Sequence, residues 1–322
     1  MSSSPRKKTA KQKPAEGKPL RKFRAREAAR RLQSDGRASK DSAGKTPFHV
    51  RFWGVRGSIP SPGKQTQKYG GNTPCVEMRV GDTLLIFDLG TGARPLGDEL
   101  LAKGQPVTAS VFLSHYHYDH LQGLPFFTPI FVPQNTFTFY GATRNGQTVK
   151  EILSGQMTQP YFPVTADGVF RAQLSYQDIH AGDALKVGPA QVTMVELNHP
   201  GGNLGYRVEC DGRTVVYATD IEHGGSDQER FFEFAKGADL LIYDSMYTED
   251  EYCGRQGPPR TGWGHSTWQA AVQAAQKSEV KTLVLFHHDP GRNDAAMDRL
   301  LRQVRKHRPE AIAAREDMIL KL

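Results

Sequence analysis

The stretch Ser114-His115-Tyr116-His117-Tyr118-Asp119-His120 decides the fold of this chain. It directly follows the apolar run 107–113, which we predict to be a buried strand, so its polar side chains lie on a loop at a strand end. Four of its side chains, three imidazoles and one carboxylate, are able to bind a metal, and this combination suits Zn, Mn or Fe. The two rings of His-x-His project from one side of an extended segment. Asp119 and His120 then face a second position, so this one loop can supply ligands to two cations.

Two complete metal sites need further ligands from elsewhere in the chain. His199, Asp220 and His287 each come just after an apolar run that we predict to be a strand. A carboxylate such as Asp220 can bridge two cations, which an imidazole cannot do. Taken singly, each of these three residues is also explained by capping or ordinary hydrogen bonding. Their shared context, an apolar strand that stops at a ligand, favours a joint role in metal binding.

The chain from residue 47 onward alternates predicted strands and helices. The strands are expected at 75–80, 83–88, 107–113, 191–197, 204–210, 214–219, 239–243, 282–286 and 317–322. The helices are expected at 93–103, 147–155, 228–236, 266–277 and 293–307. The stretch 123–168 is rich in Phe, Pro and Gly and lies between two motif-bearing segments. We interpret it as a cover over the site, with an ordinary long connection as the alternative.

The ligand set resembles that of the metallo-β-lactamase superfamily. The residues that carry the resemblance are, in chain order, His115, His117, Asp119, His120, His199, Asp220 and His287. The resemblance extends over residues 48–322 and implies an α/β fold, a four-layer αββα sandwich with a two-metal site at the sheet edges. It implies one metal on His115, His117 and His199, another on Asp119, His120 and His287, and Asp220 as the bridge. Zinc is the expected metal, with manganese and iron as alternatives. Asp88 matches an acidic residue that supports the ligands in this superfamily, and its alternative role is a turn-forming Asp before Gly.

A second segment narrows the superfamily to one branch. Asp244 ends a predicted strand, and Gly264-His265-Ser266-Thr267 precedes a predicted helix. This resembles the phosphodiesterase branch, which includes ribonuclease Z, the cyclic phosphodiesterase of phosphonate breakdown and class II-like cyclic-nucleotide phosphodiesterases. The resemblance implies that Asp244 pairs with His265, whereas β-lactamases, glyoxalases and lactonases lack this pair. Ribonuclease Z usually has Glu as the acidic residue, so Asp244 is a shorter substitute. A solvent-facing residue at a helix start is the alternative for His265.

The implied activity is hydrolysis of a small cyclic phosphodiester, with a 3′,5′-cyclic nucleotide as the expected substrate. Two cations neutralise the phosphate oxygens and acidify a water molecule, and Asp119 orients the hydroxide that attacks phosphorus. His265, kept charged and oriented by Asp244, protonates the departing alkoxide. An RNA or tRNA 3′-end endonuclease of the ribonuclease Z type is the first alternative, although residues 141–168 contain no clear flexible, basic arm. A lactonase or thioesterase and a non-catalytic metal-bound binding protein are further alternatives, which the Asp244–His265 pair disfavours.

A few other side chains have two interpretations. Arg56, in Gly-Val-Arg-Gly-Ser, either approaches the phosphate or braces a turn. Tyr161, Phe162 and Phe170 either stack on a base or pack in the core. His223 either contacts the substrate or lies on a surface loop, and the surface loop is the expectation.

The net charge of +8 is concentrated at the start of the chain. Residues 1–46 contain 15 Lys/Arg and 4 Asp/Glu, a balance of +11, so the remaining 276 residues carry −3. We predict a basic, largely disordered tail over residues 1–46 and one hydrolase domain over 47–322. The tail is either a solubilising extension or an electrostatic arm for nucleic acid, an anionic membrane or an acidic partner.

Composition also indicates the cellular compartment and the partners that we expect for this protein. The three cysteines, Cys75, Cys210 and Cys253, are too few and too widely spaced for a disulfide framework. No apolar run approaches the ~18 residues of a membrane span, and the basic start lacks the apolar segment of a secretory signal. We therefore expect a cytoplasmic protein without a membrane span. Its expected partner is the small phosphodiester substrate, with nucleic acid as a further partner of the tail, and the sequence leaves a homodimer open.

Overall fold

The computed structural model describes residue 40 and residues 44–322. The chain divides into two units, Met1–Arg37 and Ala38–Leu322, and all described residues belong to the second. The predicted tail, residues 1–46, thus falls mostly outside the described residues and stays a prediction. Thr46, at its predicted end, is buried in the folded unit. Its backbone N–H donates to Asp211 at 2.8 Å, and its carbonyl accepts from Arg213 at 3.0 Å.

The strands of the described residues form two sheets of seven. The strands that come first along the chain are β1 (Phe48–Gly54), β2 (Cys75–Val80), β3 (Thr83–Phe87), β4 (Thr108–Phe112), β5 (Thr136–Gly141), β6 (Gln173–Asp178) and β7 (Ala184–Val187). They are followed by β8 (Ala190–Leu197), β9 (Asn203–Cys210), β10 (Arg213–Ala218), β11 (Leu240–Asp244), β12 (Thr282–Phe286), β13 (Ile312–Ala313) and β14 (Ile319–Lys321). The central strands consist of buried Val, Ile, Leu, Phe and Tyr, as in β12 (TLVLF), which suits a sheet covered on both faces.

The strand order explains how distant segments reach one edge. The first sheet has the order β14-β1-β2-β3-β4-β5-β6, and the second has the order β13-β12-β11-β10-β9-β8-β7. In the first sheet β3 to β6 run parallel, and in the second β10 to β13 run parallel. Because parallel strands share the edge at which their carboxyl ends lie, the loops that follow β3, β4, β10, β11 and β12 are available to build one site.

The helices lie on the outer faces of the two sheets. They are α1 (Ala93–Ala102), α2 (Tyr118–Leu121), α3 (Val149–Gly155), α4 (Ala166–Val169), α5 (Gln228–Ala235), α6 (Glu249–Tyr252), α7 (Trp268–Lys277) and α8 (Asp294–His307), with 3₁₀ helices at Leu124–Phe126 and Thr128–Phe131. The buried residues of α1 and α3 pack with the first sheet, and those of α5, α7 and α8 pack with the second. Among the described helices, none combines the length and hydropathy that crossing a membrane requires.

The main core lies between the two sheets. Phe87 stacks on Phe112 at 5.3 Å between ring centroids, and both rings contact Tyr206 of the facing sheet at 5.4 Å. Side chains of this size stabilise the fold by ~1.5–3 kcal/mol each when fully buried. Helices outside two facing sheets make four layers, so the predicted αββα sandwich is confirmed.

One element of the predicted cover belongs to the sheet instead. Within 123–168, residues of β5 pair with β4 on one side and β6 on the other, so this strand is internal to the first sheet. Phe137 and Phe139 of β5 are buried, and Thr136 and Thr138, which alternate with them, are half-buried. Only the segments on either side of β5 remain available to cover a site.

Candidate active site

The carboxyl ends of parallel strands bring the predicted ligands together. The loop with His115 to His120 follows β4, Asp220 follows β10, and His287 follows β12. His199 comes two residues after β8. These residues, which extend over 172 positions from His115 to His287, converge because β4 faces the second sheet at the edge where β10 and β12 end.

The backbone is strained at three residues of this edge. Asp88, Asp220 and His287 have φ angles of 61°, 51° and 57°. Residues other than glycine rarely adopt φ angles in this region. Each follows a strand directly or within two residues, so the chain turns sharply there. Such conformations cost ~1–3 kcal/mol each and persist where the surroundings fix them, which occurs frequently at functional sites.

The first group of ligand atoms contains His115, His117, His199 and Asp220, all within 4.8 Å of one another. Nε2 of His199 lies 3.1 Å from Nδ1 of His117, and Nε2 of His115 lies 3.6 Å from Oδ2 of Asp220. Nδ1 of His199 lies 2.7 Å from the Gly264 carbonyl. Because a carbonyl only accepts, Nδ1 of His199 carries the proton and Nε2 keeps its lone pair for a metal.

The second group contains Asp119, His120, His287 and again Asp220. Nε2 of His287 lies 3.1 Å from Oδ2 of Asp119 and 3.2 Å from Oδ1 of Asp220. Nε2 of His120 lies 3.3 Å from the same Oδ1. Asp220 thus turns one carboxylate oxygen to each group, and the two groups have the membership that the sequence predicts. The backbone N–H of Ser58 donates to Oδ2 of Asp119 at 2.8 Å and fixes that carboxylate.

The charges of this cluster favour the binding of a cation. Within residues 44–322, every ion pair of Asp119 and Asp220 is with a histidine. Burial opposes their ionisation, yet the surrounding imidazoles lower the pKa of both carboxyls. Burial also lowers the pKa of His115 and His199, which keeps these rings neutral. Against the effect of burial, Asp220, Asp119 and Asp88 in contrast raise the pKa of His120. A divalent metal bound among these buried carboxylates and imidazoles would take the place of the proton on His120 and balance the carboxylate charge.

One buried ring atom supports the same conclusion. Nε2 of His115 is buried and has no hydrogen-bond partner among the described residues. A buried polar atom without a partner destabilises a protein by ~1–3 kcal/mol. Since this atom faces Asp220 in the first group, a metal ion there would satisfy it. The donor set of imidazole and carboxylate fits divalent metals such as Zn, Mn or Fe.

Asp88 orients the loop that contains the candidate ligands His115 to His120. Its Oδ1 accepts from the backbone N–H of Ser114 at 2.8 Å, and its Oδ2 accepts from the Tyr217 hydroxyl at 2.7 Å. The same Oδ2 lies 2.9 Å from Nδ1 of His120. This contact places the proton of His120 on Nδ1 and leaves Nε2 free toward the second group. The fully buried Asp88 therefore supports a candidate ligand instead of merely forming a turn.

His265 and Asp244 form a buried pair beside the second group. Nδ1 of His265 lies 2.8 Å from Oδ2 of Asp244, whose Oδ1 accepts from the backbone N–H of Met246 at 3.0 Å. The His265 ring lies 5.0 Å from the His287 ring, nearly parallel to it. Burial lowers the pKa of His265, but the carboxylate of Asp244 outweighs it and raises that pKa to about 9. The pair is thus built to keep a proton on an imidazole next to the ligand cluster.

Glu222 is a part of the site that sequence reasoning missed. Its carboxylate accepts from the backbone N–H groups of Gly262 at 2.6 Å and Gly264 at 2.8 Å, and from the Tyr252 hydroxyl at 2.6 Å. These hydrogen bonds hold the loop that contains Gly264 and His265. The carbonyl of Gly264 is in turn the hydrogen-bond partner of His199. The partners lie 30 to 42 positions away and two are backbone groups, so no motif marks them.

The structure shows the surroundings of the side chains for which the sequence allows two interpretations. Arg56 is fully buried and donates to the carbonyls of Gly70 and Arg292 at 2.8 and 2.6 Å, so it braces the loops that contain these residues. Phe170 packs near Phe131 with 5.8 Å between centroids, whereas Tyr161 is 86% exposed. The predicted surface position of His223 is wrong in part, because its ring is half-buried against Tyr252.

Two facing sheets with outer helices, and ligands gathered at their strand ends, define the metallo-β-lactamase superfamily. The sequence profile of the Beta-lactamase superfamily domain matches residues 87–288, which include all seven candidate ligands, Asp244 and His265. The chain belongs to this superfamily and is a hydrolase of the metallo-β-lactamase type. The predicted resemblance to the superfamily and its ribonuclease Z branch is confirmed.

The chain is similar to individual members of the superfamily over most of their length. Ribonuclease Z of Pyrococcus furiosus is 24% identical over 286 residues, which cover 76% of this chain and 87% of that protein. The probable metallo-hydrolase YhfI of Bacillus subtilis is 28% identical over 260 residues, covering 76% and 91%. The crystal structure of YhfI matches with a TM-score of 0.65 at 21% identity, over 86% of this chain and 100% of that one. A diphosphatase from the PhnP family matches with a TM-score of 0.61 at 18% identity, over 86% and 97%.

Proposed function

We propose that this protein is a metal-dependent phosphodiesterase that hydrolyses a small cyclic phosphodiester, most simply a 3′,5′-cyclic nucleotide. The observation that carries the proposal is the 2.8 Å contact between Asp244 and His265, directly beside the second ligand group. A phosphodiester has a poor alkoxide leaving group, which needs a proton as it departs. A protonated imidazole beside an anion-binding centre meets that requirement.

The proposed metal sites use the two groups described above. His115, His117 and His199 would hold one divalent ion, Asp119, His120 and His287 the other, and Asp220 would bridge them. Bound there, two such ions would neutralise the phosphate oxygens and lower the pKa of a water molecule. Zinc is the proposed metal because imidazole-rich sites with carboxylates suit it, with manganese and iron as alternatives.

The protein's own side chains would handle the protons. Oδ2 of Asp119 is engaged by Ser58 and His287, which leaves Oδ1 to orient the attacking water and accept its proton. Nδ1 of His265 is held by Asp244, so Nε2 is the atom that would donate a proton to the leaving alkoxide. General acid catalysis of this kind contributes ~10²–10⁴-fold to rate.

The segment around β5 supports a small substrate. Within 141–168, Val149, Leu153 and Met157 are buried, and α3 and α4 are capped by Thr148 and Thr165. A segment packed in this way does not provide the protruding basic arm with which the ribonuclease Z family holds tRNA. This observation favours a mononucleotide over a folded RNA.

A second candidate function is cleavage of RNA at the 3′ end of a tRNA. The observation that favours it is the similarity to proteins named ribonuclease Z, such as that of Pyrococcus furiosus. In this case the basic residues of 1–46 would bind the RNA backbone and contribute a salt-dependent affinity.

A turnover panel tests the proposal. Metal-loaded full-length protein is incubated with 3′,5′-cyclic nucleotides, bis(p-nitrophenyl) phosphate and a 3′-extended tRNA, with a lactone and a thioester as further substrates. The proposal predicts turnover of the cyclic nucleotide and the nitrophenyl ester. Cleavage of the tRNA with no turnover of cyclic nucleotides would establish the second candidate instead. Turnover of the lactone or thioester alone would contradict both.

A further inference from the structure

We propose that a groove beside the ligand loop is a subsite for the nucleobase of a mononucleotide substrate; this rests on the proposed phosphodiesterase function. The groove has a volume of about 560 Å³ and begins at Tyr118, the residue between the candidate ligands His117 and Asp119. This volume is within the ~300–1,000 Å³ of small-molecule sites.

Three aromatic rings that line the groove are exposed to solvent. Tyr118, Phe126 and Tyr161 are 82%, 57% and 86% exposed. Phe162 also lines the groove, and its ring lies 6.2 Å from that of Phe126. Large rings in solvent favour burial against another apolar surface, so a flat ligand that enters the groove would gain contact with them.

One donor atom of a residue that lines the groove lacks an acceptor. Nε2 of Gln156 is buried and, among the described residues, no group accepts its hydrogen bond. An acceptor atom on a bound ligand would satisfy this donor. Rings that stack and an amide that donates are the features that bind a nucleobase, which has a flat face and acceptor atoms at its edge.

The charges of the side chains that line the groove favour the binding of a neutral base over that of a polyanion. None of the described residues that line it is Lys or Arg. Its one ionised side chain, Glu151, accepts from the Thr148 backbone N–H in a capping box at the start of α3. An RNA backbone in this groove would meet a carboxylate and no cation, which is unfavourable for successive phosphates. A single nucleotide avoids this, because its phosphate lies at the ligand cluster and only its neutral base enters the groove.

Binding of adenosine, which has no phosphate, tests the groove apart from the metal site. Saturation-transfer NMR on metal-loaded full-length protein is expected to show stronger saturation of the base protons than of the ribose protons. Tyr161→Ala should reduce the signal by about tenfold, since stacking on one aromatic ring carries that order of affinity. Tyr161→Phe retains the ring and should retain the signal. Absent base signals in the wild type, or equal signals in Tyr161→Ala, would overturn the subsite.

A matched pair of esters tests the same subsite during turnover. Adenosine 5′-(p-nitrophenyl phosphate) and methyl p-nitrophenyl phosphate share one leaving group and differ in the nucleoside. Gln156→Glu keeps the shape of the side chain and removes the donor, so its loss of kcat/KM should be about tenfold greater for the nucleoside ester. Equal losses on both esters would overturn the subsite. If the wild type hydrolyses neither ester, the phosphodiesterase proposal fails, and adenosine binding alone then decides whether the groove binds a base.

Discussion

Gly57 lies against the imidazole of His287 so closely that a side chain at position 57 would collide with the ring. A Cβ atom there would fall 2.5 Å from Nδ1 of His287 and 2.6 Å from the methyl carbon of Met246. The Gly57 backbone N–H also donates to the carbonyl of His288 at 2.9 Å. The absence of a side chain at Gly57 thus leaves the space that His287 occupies in the second candidate ligand group.

Gly57→Ala should therefore displace His287 and weaken the second metal site. We expect the metal content to fall by about one ion per chain, with lower thermal stability from the overpacking, which costs ~1–3 kcal/mol. Elemental analysis and thermal unfolding of the purified variant measure both. Gly155→Ala is the matched control, because a Cβ at position 155 meets nothing within 4 Å. A Gly57→Ala protein with the full metal content would show that the close contact does not constrain His287.

The two ligand groups predict two divalent ions per chain. Protein purified without chelator should contain two, and His117→Ala should lose an ion together with activity. His180→Ala is the control, since this histidine is 72% exposed in its side chain and lies outside both groups. Chelator should also lower the melting temperature, because ions bound only to the native state stabilise it by ~2.7 kcal/mol at 100 times their dissociation constant. Full activity at well below one ion per chain would contradict the two-metal site.

Glu222 is expected to act as a positioning residue for His265. Glu222→Gln weakens the hold on Gly262 and Gly264, and hydrogen bonds to a charged acceptor contribute ~1.5–3 kcal/mol. We predict a fall in kcat of about tenfold or more that is largest for substrates with poor leaving groups. Tyr252→Phe removes only the hydroxyl contact and should have a smaller effect. A uniform loss on good and poor leaving groups would indicate a general structural role.

The basic residues at the start of the chain should be dispensable for small substrates. Deletion of residues 1–39 spares Thr46, which is bonded to Asp211 in the folded unit. Turnover of a cyclic nucleotide should stay within a few-fold of the full chain. If nucleic acid is a partner, its affinity should drop and the dependence of that affinity on salt should flatten. Loss of small-substrate turnover in a folded truncation would show that these residues belong to the active site.

The closeness of the candidate ligands could be predicted from the sequence because each of them follows an apolar strand, and these strands end at one edge of the sheets. His199, Asp220 and His287 show this pattern. The internal strand β5 was missed because its neighbours are rich in Phe, Pro and Gly, although the alternation of Thr and Phe in TFTFYG was a signal for a strand. The helix predicted at 266–277 begins two residues later, at Trp268, since Thr267 caps it and Ser266 donates to the Ile221 carbonyl.

Other parts of the site could not be read from the sequence. The partners of Glu222 are two backbone N–H groups and one hydroxyl, and backbone groups carry no sequence signature. The close approach of Gly57 to His287 depends on the packing of loops after β1 and β12. The unpartnered amide of Gln156 is likewise a property of three-dimensional packing. Strand ends are encoded locally, whereas contacts between loops are not.

Asp244→Asn offers a graded test of the acid pair. The amide keeps the shape of the side chain but removes the charge that holds the His265 proton. We expect a smaller loss of turnover than for removal of His265 itself, with metal content unchanged. A loss of metal in this variant would instead make Asp244 part of the metal site, as its closeness to Asp220 and His287 allows.

The most direct test of the general-acid proposal compares wild type and His265→Ala on two leaving groups. For a 3′,5′-cyclic nucleotide, whose alkoxide must be protonated, His265→Ala should lower kcat by ~10²-fold or more, which is ~2.7 kcal/mol of barrier. For a p-nitrophenyl ester, whose leaving group departs with little protonation, the loss should be much smaller, and the metal content of the variant should equal that of the wild type. Equal losses on the two substrates, or loss of metal in His265→Ala, would contradict the role of His265 as the general acid.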